Sequence, residues 1–210
     1  MNSPQQEIFL YGAGGHAKVI IDIIEKEKKH KIAFIIDDRP QIKGSHILGY
    51  PIIGGIREFL LIQQKPSKAI ISIGNNQNRK KIAKLLKKHD IEFPNAIHPR
   101  AVIAKEVFIS SGTVVMANVA INSCTYIGKH VIINTGANID HDCNIADYVH
   151  IAPGATLCGN INVGEGSLIG AGSTITPNVM IGKNVLIGAG TTIYKNVQDN
   201  SKVIGPRATL

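Results

Sequence analysis

The 210-residue sequence has no tryptophan, only five phenylalanines and five tyrosines, and only three cysteines. Cys124, Cys143 and Cys158 form no C-x-x-C pair, which argues against a disulfide framework or a zinc site. No apolar run reaches the ~18 residues of a membrane-spanning helix. The N-terminal MNSPQQE lacks the basic and apolar segments of a targeting signal. These absences predict a soluble, cytoplasmic protein with reduced thiols.

The charge balance is basic, with 23 Lys and Arg against 15 Asp and Glu and a net charge of +8. Such a balance attracts anions, including nucleic acid, acidic membranes and phosphorylated metabolites. The positive charge is concentrated in the runs Lys26–Lys31 and Arg79–Lys88, which are typical of solvated helix faces. No aromatic residue interleaves with the lysines, so stacking on single-stranded nucleic acid has little support. We therefore predict no nucleic-acid partner and no membrane insertion.

A six-residue repeat dominates the second half of the chain. Stepping by six from Ile103 to Ile193 meets sixteen consecutive Ile, Val or Leu residues without a slip. A second series, four residues after each aliphatic, is almost entirely small or β-branched. An amphipathic helix repeats at three and four residues and cannot produce this period. The pattern predicts a short strand and a corner, repeated many times.

This repeat resembles the hexapeptide-repeat family, whose chains coil into a left-handed parallel β-helix of triangular section. The resemblance implies three hexapeptides per turn and assembly as a homotrimer around the coil axis. We assign residues 97–210 to this β-helix and its C-terminal tail.

A glycine-rich turn follows the first apolar run of the chain. In YGAGGHAKVI, which begins at Tyr11, the residues Gly12, Gly14 and Ala17 fit the G-x-G-x-x-G/A spacing of a dinucleotide-binding turn. Such glycines let a phosphate approach the backbone N–H groups at a helix N-terminus. From the loop alone, the alternative that it merely packs a helix on a strand stays open.

Residues 1–96 have the pattern of a small Rossmann-like α/β domain. Strands are predicted at Glu7–Tyr11, Ile32–Ile36 and Ala69–Ile73, and helices at Gly15–Lys28, Gly55–Gln63 and Asn78–Lys88. This length holds one mononucleotide half, whereas a dinucleotide fold needs two, so a nicotinamide cofactor is disfavoured. Asp37, Asp38 and a second turn in Ser72–Ile82 are expected at one sheet edge, where open sheets bind ligands.

The order of these motifs resembles the sugar O-/N-acetyltransferase family of the left-handed β-helix superfamily. Its members include nucleotide-linked 4-amino-sugar N-acetyltransferases of the bacillosamine and perosamine type, and sialic acid O-acetyltransferases. The resemblance implies a nucleotide-sugar cleft in the N-terminal domain and acetyl-CoA along the β-helix. The residues implied at the nucleotide are Gly12, Gly14, Gly15, His16, Asp37 and Asp38.

The residues that carry out the reaction are expected between Asn134 and Asn160. His141 falls at a corner and His150 at an outward position, so neither is predicted to be a core residue. Acetyl transfer needs a base of near-neutral pKa, which histidine supplies. The resemblance implies that Asp142 orients His141. It also implies that Asn134 lies near the sugar, His150 near the acetyl group, and that the Gly159 N–H donates to the thioester oxygen. Cys143 falls on an inward position, so we predict a core role for it.

His141 and His150 are nine residues apart, which is half of an eighteen-residue turn. A single coil would place them on different faces, so we expect them to meet across a subunit interface if both serve one reaction. Including His130, the histidine spacing provides no convergent ligand set, so we predict no metal. Arg207 in the tail VIGPRATL is a candidate contact for a coenzyme A phosphate.

Together these features predict an acetyl-CoA-dependent enzyme that N-acetylates a UDP- or dTDP-linked 4-amino-4,6-dideoxysugar for bacterial surface glycan synthesis, with His141 as general base. Two alternatives stay open. One is O-acetylation of a sialic-acid-like sugar, and the other is a non-catalytic scaffold that binds a sugar nucleotide.

Overall fold

A computed structural model describes residues 5–205, and the chain divides into two compact units, residues 1–99 and residues 100–210. The first unit contains β1 (Gln6–Tyr11), α1 (Gly15–Glu27), β2 (His30–Ile36), a 3₁₀ turn (Pro40–Ile42), β3 (His46–Ile47), β4 (Tyr50–Pro51), α2 (Ile56–Leu61), β5 (Ala69–Ile71), α3 (Asn76–Lys87) and β6 (Ala96–Ile97). The predicted strands and helices of this half are confirmed, with ends shifted by at most two residues.

The centre of the first unit is a parallel sheet with strand order β2-β1-β5. β1 lies in the middle, and its residues from Ile8 to Tyr11 are buried because helices cover the sheet. Phe9 packs against Phe34 and Phe59, with ring centroids 5.9 and 4.4 Å away. The carboxyl ends of β1 and β2 lead into the glycine-rich turn and the Asp37-Asp38 pair, so both reach one edge of the sheet.

The second unit is a parallel β-solenoid built of two-residue strands. All but the last strand end at an aliphatic of the six-residue repeat. The strands are β7 (Val102–Ile103), β8 (Phe108–Ile109), β9 (Val114–Val115), β10 (Ala120–Ile121), β11 (Tyr126–Ile127), β12 (Ile132–Ile133), β13 (Asn138–Ile139), β14 (Asn144–Ile145), β15 (His150–Ile151), β16 (Thr156–Leu157), β17 (Asn162–Val163), β18 (Leu168–Ile169), β19 (Thr174–Ile175), β20 (Met180–Ile181), β21 (Leu186–Ile187), β22 (Thr192–Ile193) and β23 (Lys202–Val203).

From β7 to β19 each strand pairs with the third strand after it, and β21 pairs with β23, which gives the solenoid three sheets. The first sheet runs from β7 through β10, β13, β16 and β19 to β22, and the second from β8 through β11, β14 and β17 to β20. Within the second unit, the third sheet contains β9, β12, β15, β18, β21 and β23. Ile121 pairs with Ile139, eighteen residues on, so three hexapeptides make one turn as predicted.

Burial and corner geometry explain the repeat. All the aliphatics of the series are buried except the first two, Ile103 and Ile109, which are half-buried. The third residue after each aliphatic, from Glu106 to Gly190, has a left-handed backbone, with φ between 52° and 63° at the non-glycine positions. Asn, Asp and Gly tolerate this region best, which accounts for their frequency at the corners.

The longest helix of the first unit, α1, has 13 residues. Within residues 5–205, no helix is both long enough and apolar enough to cross a membrane.

The buried aliphatic columns should dominate the stability of the solenoid. Ile151→Ala removes a fully buried side chain and is expected to lower the free energy of unfolding by about 2–5 kcal/mol. Urea unfolding at fixed protein concentration measures this loss. Val102→Ala is the matched control, because Val102 is 69% exposed on an outward strand position, and its effect should stay within about 0.5 kcal/mol. Equal losses in both variants would contradict the assignment of the core.

Candidate active site

His141 and Asp142 form the corner between β13 and β14, and the adjacent turns hold this corner from both sides. The Asp142 N–H donates to the Ser123 carbonyl at 3.1 Å, one turn earlier. The His141 carbonyl accepts from the Asn160 N–H at 2.9 Å, one turn later. The backbone is therefore fixed although both side chains project from the coil.

The two side chains of this corner form a His–Asp pair. His141 Nδ1 lies 2.7 Å from Asp142 Oδ2, and the side chains are 59% and 58% exposed. A carboxylate only accepts hydrogen bonds, so in the neutral imidazole Nδ1 carries the proton and Nε2 carries the lone pair. The hydrogen bond to Asp142 raises the pKa of His141 above its usual value, and the negative charge of Asp140 raises it further. The imidazole is thus an oriented base.

Gly159 lies directly beneath the imidazole ring. A Cβ on residue 159 would come within 2.7 Å of both Cε1 and Nε2 of His141, closer than real contacts allow. Glycine is therefore required at 159 for the ring to hold this position. Within residues 5–205, no hydrogen bond uses the Gly159 N–H.

Asn134 and His150 form a second polar pair in the third sheet of the solenoid. Asn134 Nδ2 lies 3.2 Å from His150 Nε2, because Asn134 directly follows β12 and His150 begins the neighbouring strand β15. His141 instead joins the first sheet to the second. Within one chain, the two pairs belong to different sides of the coil.

Cys143 is a core residue, as predicted. It is 2% exposed, and its Sγ lies 3.2 Å from the Cys158 carbonyl oxygen. Burial raises the pKa of this thiol, which disfavours the nucleophilic thiolate.

The first unit contains a cleft of about 420 Å³ at the carboxyl ends of its strands. It is lined by Tyr11, Gly12, Asp37, Asp38, Arg39, Pro40, Gln41, Ile73, Asn78, Lys81 and Ile82. Gly12, Asp37 and Asp38 were candidates from the sequence. The other three candidates, Gly14, Gly15 and His16, cap and begin helix α1 and do not line this cleft.

The glycines of the turn have different roles. Gly12 has φ +110°, and a Cβ there would lie 2.8 Å from Ile73, so this glycine is needed for close packing. Gly14 and Gly15 are exposed, and an added Cβ on either would meet no atom within 4 Å. Packing within the chain therefore explains Gly12 but not Gly14 or Gly15.

Asp37 binds the glycine-rich turn to the segment after β2. Its carboxylate accepts from the Ala13 N–H at 2.8 Å and from Arg39 Nε and Nη2 at 2.8 and 2.9 Å. Burial works to raise the pKa of Asp37, but the hydrogen bonds from Arg39 and Ala13 outweigh it, so the pKa lies below its usual value. Asp37 is thus ionised and already supplied with donors.

Asp38 connects β1 to helix α2. Its carboxylate accepts a hydrogen bond from the Tyr11 hydroxyl at 2.5 Å. It also accepts one at 3.1 Å from the N–H of Ile56, which is the first residue of α2. Burial and the Asp38 hydrogen bond both raise the pKa of Tyr11. Tyr11 is therefore a neutral donor, and Asp38 caps the N-terminus of α2.

The structure adds cleft residues that the sequence did not single out. Arg39, Asn78 and Lys81 contribute N–H donors to the lining. Arg79, which the sequence placed on a solvated helix face, is 1% exposed, so that expectation is wrong. Its guanidinium donates to the Gly74 carbonyl at 2.9 Å and to Asn76 Oδ1 at 2.9 Å, which holds the turn before α3. The sequence did not indicate this role, because Arg79 stands in a run of lysines that is typical of an exposed helix face.

No group of three or more His, Cys, Asp or Glu side chains between residues 5 and 205 is arranged to hold a metal ion. Arg207, the candidate for a coenzyme A contact, lies outside the described residues.

Comparison with known proteins matches both halves of the chain. Residues 7–86 match the PglD N-terminal domain, and residues 160–195 match the bacterial transferase hexapeptide repeats. PerB from Caulobacter crescentus, solved with CoA and GDP-perosamine, is 36% identical, with 95% of this chain and 94% of that chain covered and a TM-score of 0.90. The acetyltransferase domain of PglB from Neisseria gonorrhoeae FA1090 is 33% identical, with 95% and 97% covered and a TM-score of 0.88.

A curated relative agrees over a shorter stretch. UDP-N-acetylbacillosamine N-acetyltransferase from Bacillus subtilis (strain 168) is 33% identical over 125 residues. The match covers 53% of this chain and 52% of that protein, so the chain spans about half the length of this relative.

These matches and the solenoid geometry define a hexapeptide-repeat protein, and the predicted α/β domain followed by a left-handed parallel β-helix is confirmed. Within that class, the identity extends over nearly the whole of both PerB and the PglB domain. The chain belongs to the sugar O-/N-acetyltransferase family.

Gly159→Ala tests the packing of the catalytic candidate. The added Cβ should push the His141 ring away and break its 2.7 Å contact with Asp142, and the pKa of His141 should then fall toward its usual value. An NMR titration of the His141 ring measures this. Ser123→Ala, at the equivalent position one turn before His141, is the control and should leave the titration unchanged. A His141 titration identical in Gly159→Ala and wild type would contradict the geometry.

Proposed function

We propose that this protein is an acetyl-CoA-dependent N-acetyltransferase whose acceptor is the amino group of a nucleotide-linked amino sugar. The observation that carries the proposal is the His141–Asp142 pair, an oriented and exposed base on a fixed corner with its Nε2 beside Gly159. Related proteins add support. PerB binds CoA and GDP-perosamine, and histidine variants of perosamine N-acetyltransferase from Caulobacter crescentus have been solved with the same two molecules.

In this mechanism, His141 acts as the general base. The amine nitrogen attacks the thioester carbonyl carbon, and Nε2 takes the proton that the amine loses. The C–N bond forms first and leaves a negative charge on the carbonyl oxygen; the C–S bond then breaks, and the imidazolium gives its proton to the departing thiolate of coenzyme A. The Asp142 carboxylate stabilises the imidazolium formed between these events. No acyl-enzyme is needed, in agreement with the buried Cys143 thiol.

The remaining site residues have supporting roles in the proposal. The N–H of Gly159, adjacent to the imidazole, donates to the oxygen of the thioester carbonyl as negative charge develops there. Asn134 contacts the sugar, and His150 lies near the acetyl group. Acetyl-CoA binds along the β-helix and supplies the acetyl group.

The cleft of the first unit holds the nucleotide in this proposal. Its lining offers donors from Arg39, Asn78 and Lys81, which suit phosphate and base oxygens. The exposed backbone at Gly14 and Gly15, just before and at the first residue of α1, suits the diphosphate. Asp37 and Asp38 act mainly by holding this edge in shape, with their carboxylates already bonded to protein donors.

The finer substrate proposal is a 4-amino-4,6-dideoxysugar linked to UDP or dTDP, used in cytoplasmic steps of bacterial surface glycan synthesis. GDP joins the nucleotides to be tested, because the PerB neighbour binds GDP-perosamine.

We further propose that the active site forms between subunits of a homotrimer. Supporting this, the His141 corner and the Asn134–His150 pair occupy different sides of one coil. A second copy can bring its Asn134–His150 pair to the His141 corner of the first, with the same contact repeated around a threefold axis.

The deciding assay measures coenzyme A release from acetyl-CoA with UDP-, dTDP- and GDP-linked 4-amino sugars, CMP-sialic acid and free sialic acid. We expect turnover with one amino sugar. His141→Ala should reduce kcat at least ~10²-fold, whereas His46→Ala, a change at an exposed histidine of the first unit, should not. Turnover with sialic acids alone would replace the proposal with O-acetylation. Absence of thiol release throughout, with binding of a sugar nucleotide, would replace it with a non-catalytic scaffold.

The interface proposal predicts complementation between two inactive variants. His141→Ala and His150→Ala chains, mixed and reassembled, should recover about a quarter of wild-type sites, since each site draws its two histidines from two randomly chosen subunits. Kinetics before and after reassembly measure the recovery. Activity that stays at the level of the separate variants, despite proven mixed assembly, would place both histidines in one subunit's site.

A further inference from the structure

A second carboxylate, Asp140, contacts the His141 corner from the other side. Asp140 Oδ1 accepts the backbone N–H of His141 at 2.8 Å. The same oxygen accepts the side-chain amide of Asn122, also at 2.8 Å, from the preceding turn. Asn122 and Asp140 are eighteen residues apart, at the same position of adjacent turns. One oxygen thus joins the backbone of the base to the neighbouring coil.

The solenoid does not need this contact to form its turns. The backbone ladder already joins them, with the Asn122 N–H bonded to the Ile139 carbonyl and the Asp140 N–H to the Leu157 carbonyl, each at 2.9 Å. The same position on other turns is Ala104, Cys158 and Thr176. At this position of the corner, an acidic residue occurs only on the turn that carries His141.

Asp140 and Asp142 are the charged side chains that raise the pKa of the His141 imidazole. Earlier turns of the same corner carry Lys105, Glu106 and Cys124, and Cys124 Sγ donates to Glu106 Oε2 at 3.4 Å. The following turns present Gly159, Asn160, Pro177 and Asn178, which are uncharged.

The contacts keep Asp140 ionised. The hydrogen bond from the Asn122 amide, followed by that from the His141 N–H, lowers the pKa of Asp140. Its negative charge is the second contributor, after Asp142, to the raised pKa of His141.

We propose that Asp140, held by Asn122, is a positioning residue for His141: it fixes the backbone of the base and sets a second negative charge beside the imidazole. Asp142 orients the ring through Nδ1, and Asp140 acts through the main chain and through space. As far as it concerns catalysis, this inference rests on the proposed function.

Two substitutions separate the charge of Asp140 from its hydrogen bonds. Asp140→Asn keeps an oxygen that can accept from Asn122 and His141 but removes the charge. Asp140→Ala removes both, and Asn122→Ala removes only the support. The control is Asp147→Asn, because Asp147 accepts a backbone N–H in the same manner, from Lys129 at 2.7 Å, at a different corner. Thermal unfolding and the amide NMR spectrum check that each variant is folded.

The first readout is the NMR titration of His141, which needs no substrate. The pKa of His141 should fall in Asp140→Asn, fall further in Asp142→Asn, and stay at the wild-type value in Asp147→Asn. The second readout is kcat/KM against pH. Its acidic limb, where activity rises with pH, should move to lower pH in Asp140→Asn by the same amount as the pKa, because His141 must be neutral to act as a base. Asp140→Ala and Asn122→Ala should lower kcat about tenfold with little change in KM.

The two readouts distinguish failure of the inference from failure of the proposed function. A wild-type protein that acetylates its sugar, with unchanged His141 titration and pH profile in Asp140→Asn and unchanged kcat in Asn122→Ala, overturns the positioning role alone. A protein that turns over no sugar overturns the proposed function, while the NMR titrations still decide the effect of Asp140 on the imidazole.

Discussion

The eighteen-residue hydrogen-bond register between successive turns is the constraint on which the solenoid depends. Backbone bonds such as Asn122 N–H to Ile139 carbonyl repeat along each sheet and place equivalent residues of consecutive turns above one another. Inside the coil this alignment stacks aliphatics into continuous buried columns, such as Ile121 on Ile139. Outside the coil it brings Gly159 next to the His141 ring, so the same register arranges both the core and the candidate site.

The geometry of the corners brings the His141 and Asp142 side chains together. A left-handed residue every sixth position turns the chain sharply, and Asp142 occupies such a position with φ 58°. At this corner the side chains of consecutive residues meet, and Nδ1 and Oδ2 are 2.7 Å apart. The corner itself is held by main-chain bonds to Ser123 and Asn160. The His141 and Asp142 side chains are exposed, so packing around them does not fix their positions. The rigid backbone of the corner does this instead.

In the first unit, hydrogen bonds from the protein to two carboxylates hold the edge of the cleft. The buried carboxylate of Asp37 needs donors and finds them in the glycine-rich turn and in Arg39. The exposed Asp38 accepts from Tyr11 and from the start of α2. The carboxylates of Asp37 and Asp38 therefore accept hydrogen bonds from the protein itself. Asn78 and Lys81 contribute donors to the lining of the cleft.

The sequence by itself determined the fold class, because a period of six is compatible with a coil and incompatible with a helix, and the position of Cys143 in that period correctly predicted its burial. It also identified His141 and Asp142 as neighbours on a corner. Only the tertiary structure decided what lies around them: Gly159 beneath the ring, Asn122 behind Asp140, and the buried Arg79 among exposed lysines. Periodicity is a property of the chain, visible one residue after another. Contacts such as these depend on side-chain packing between segments eighteen or more residues apart, or on which face of a helix meets a turn, and residue order alone does not encode those distances.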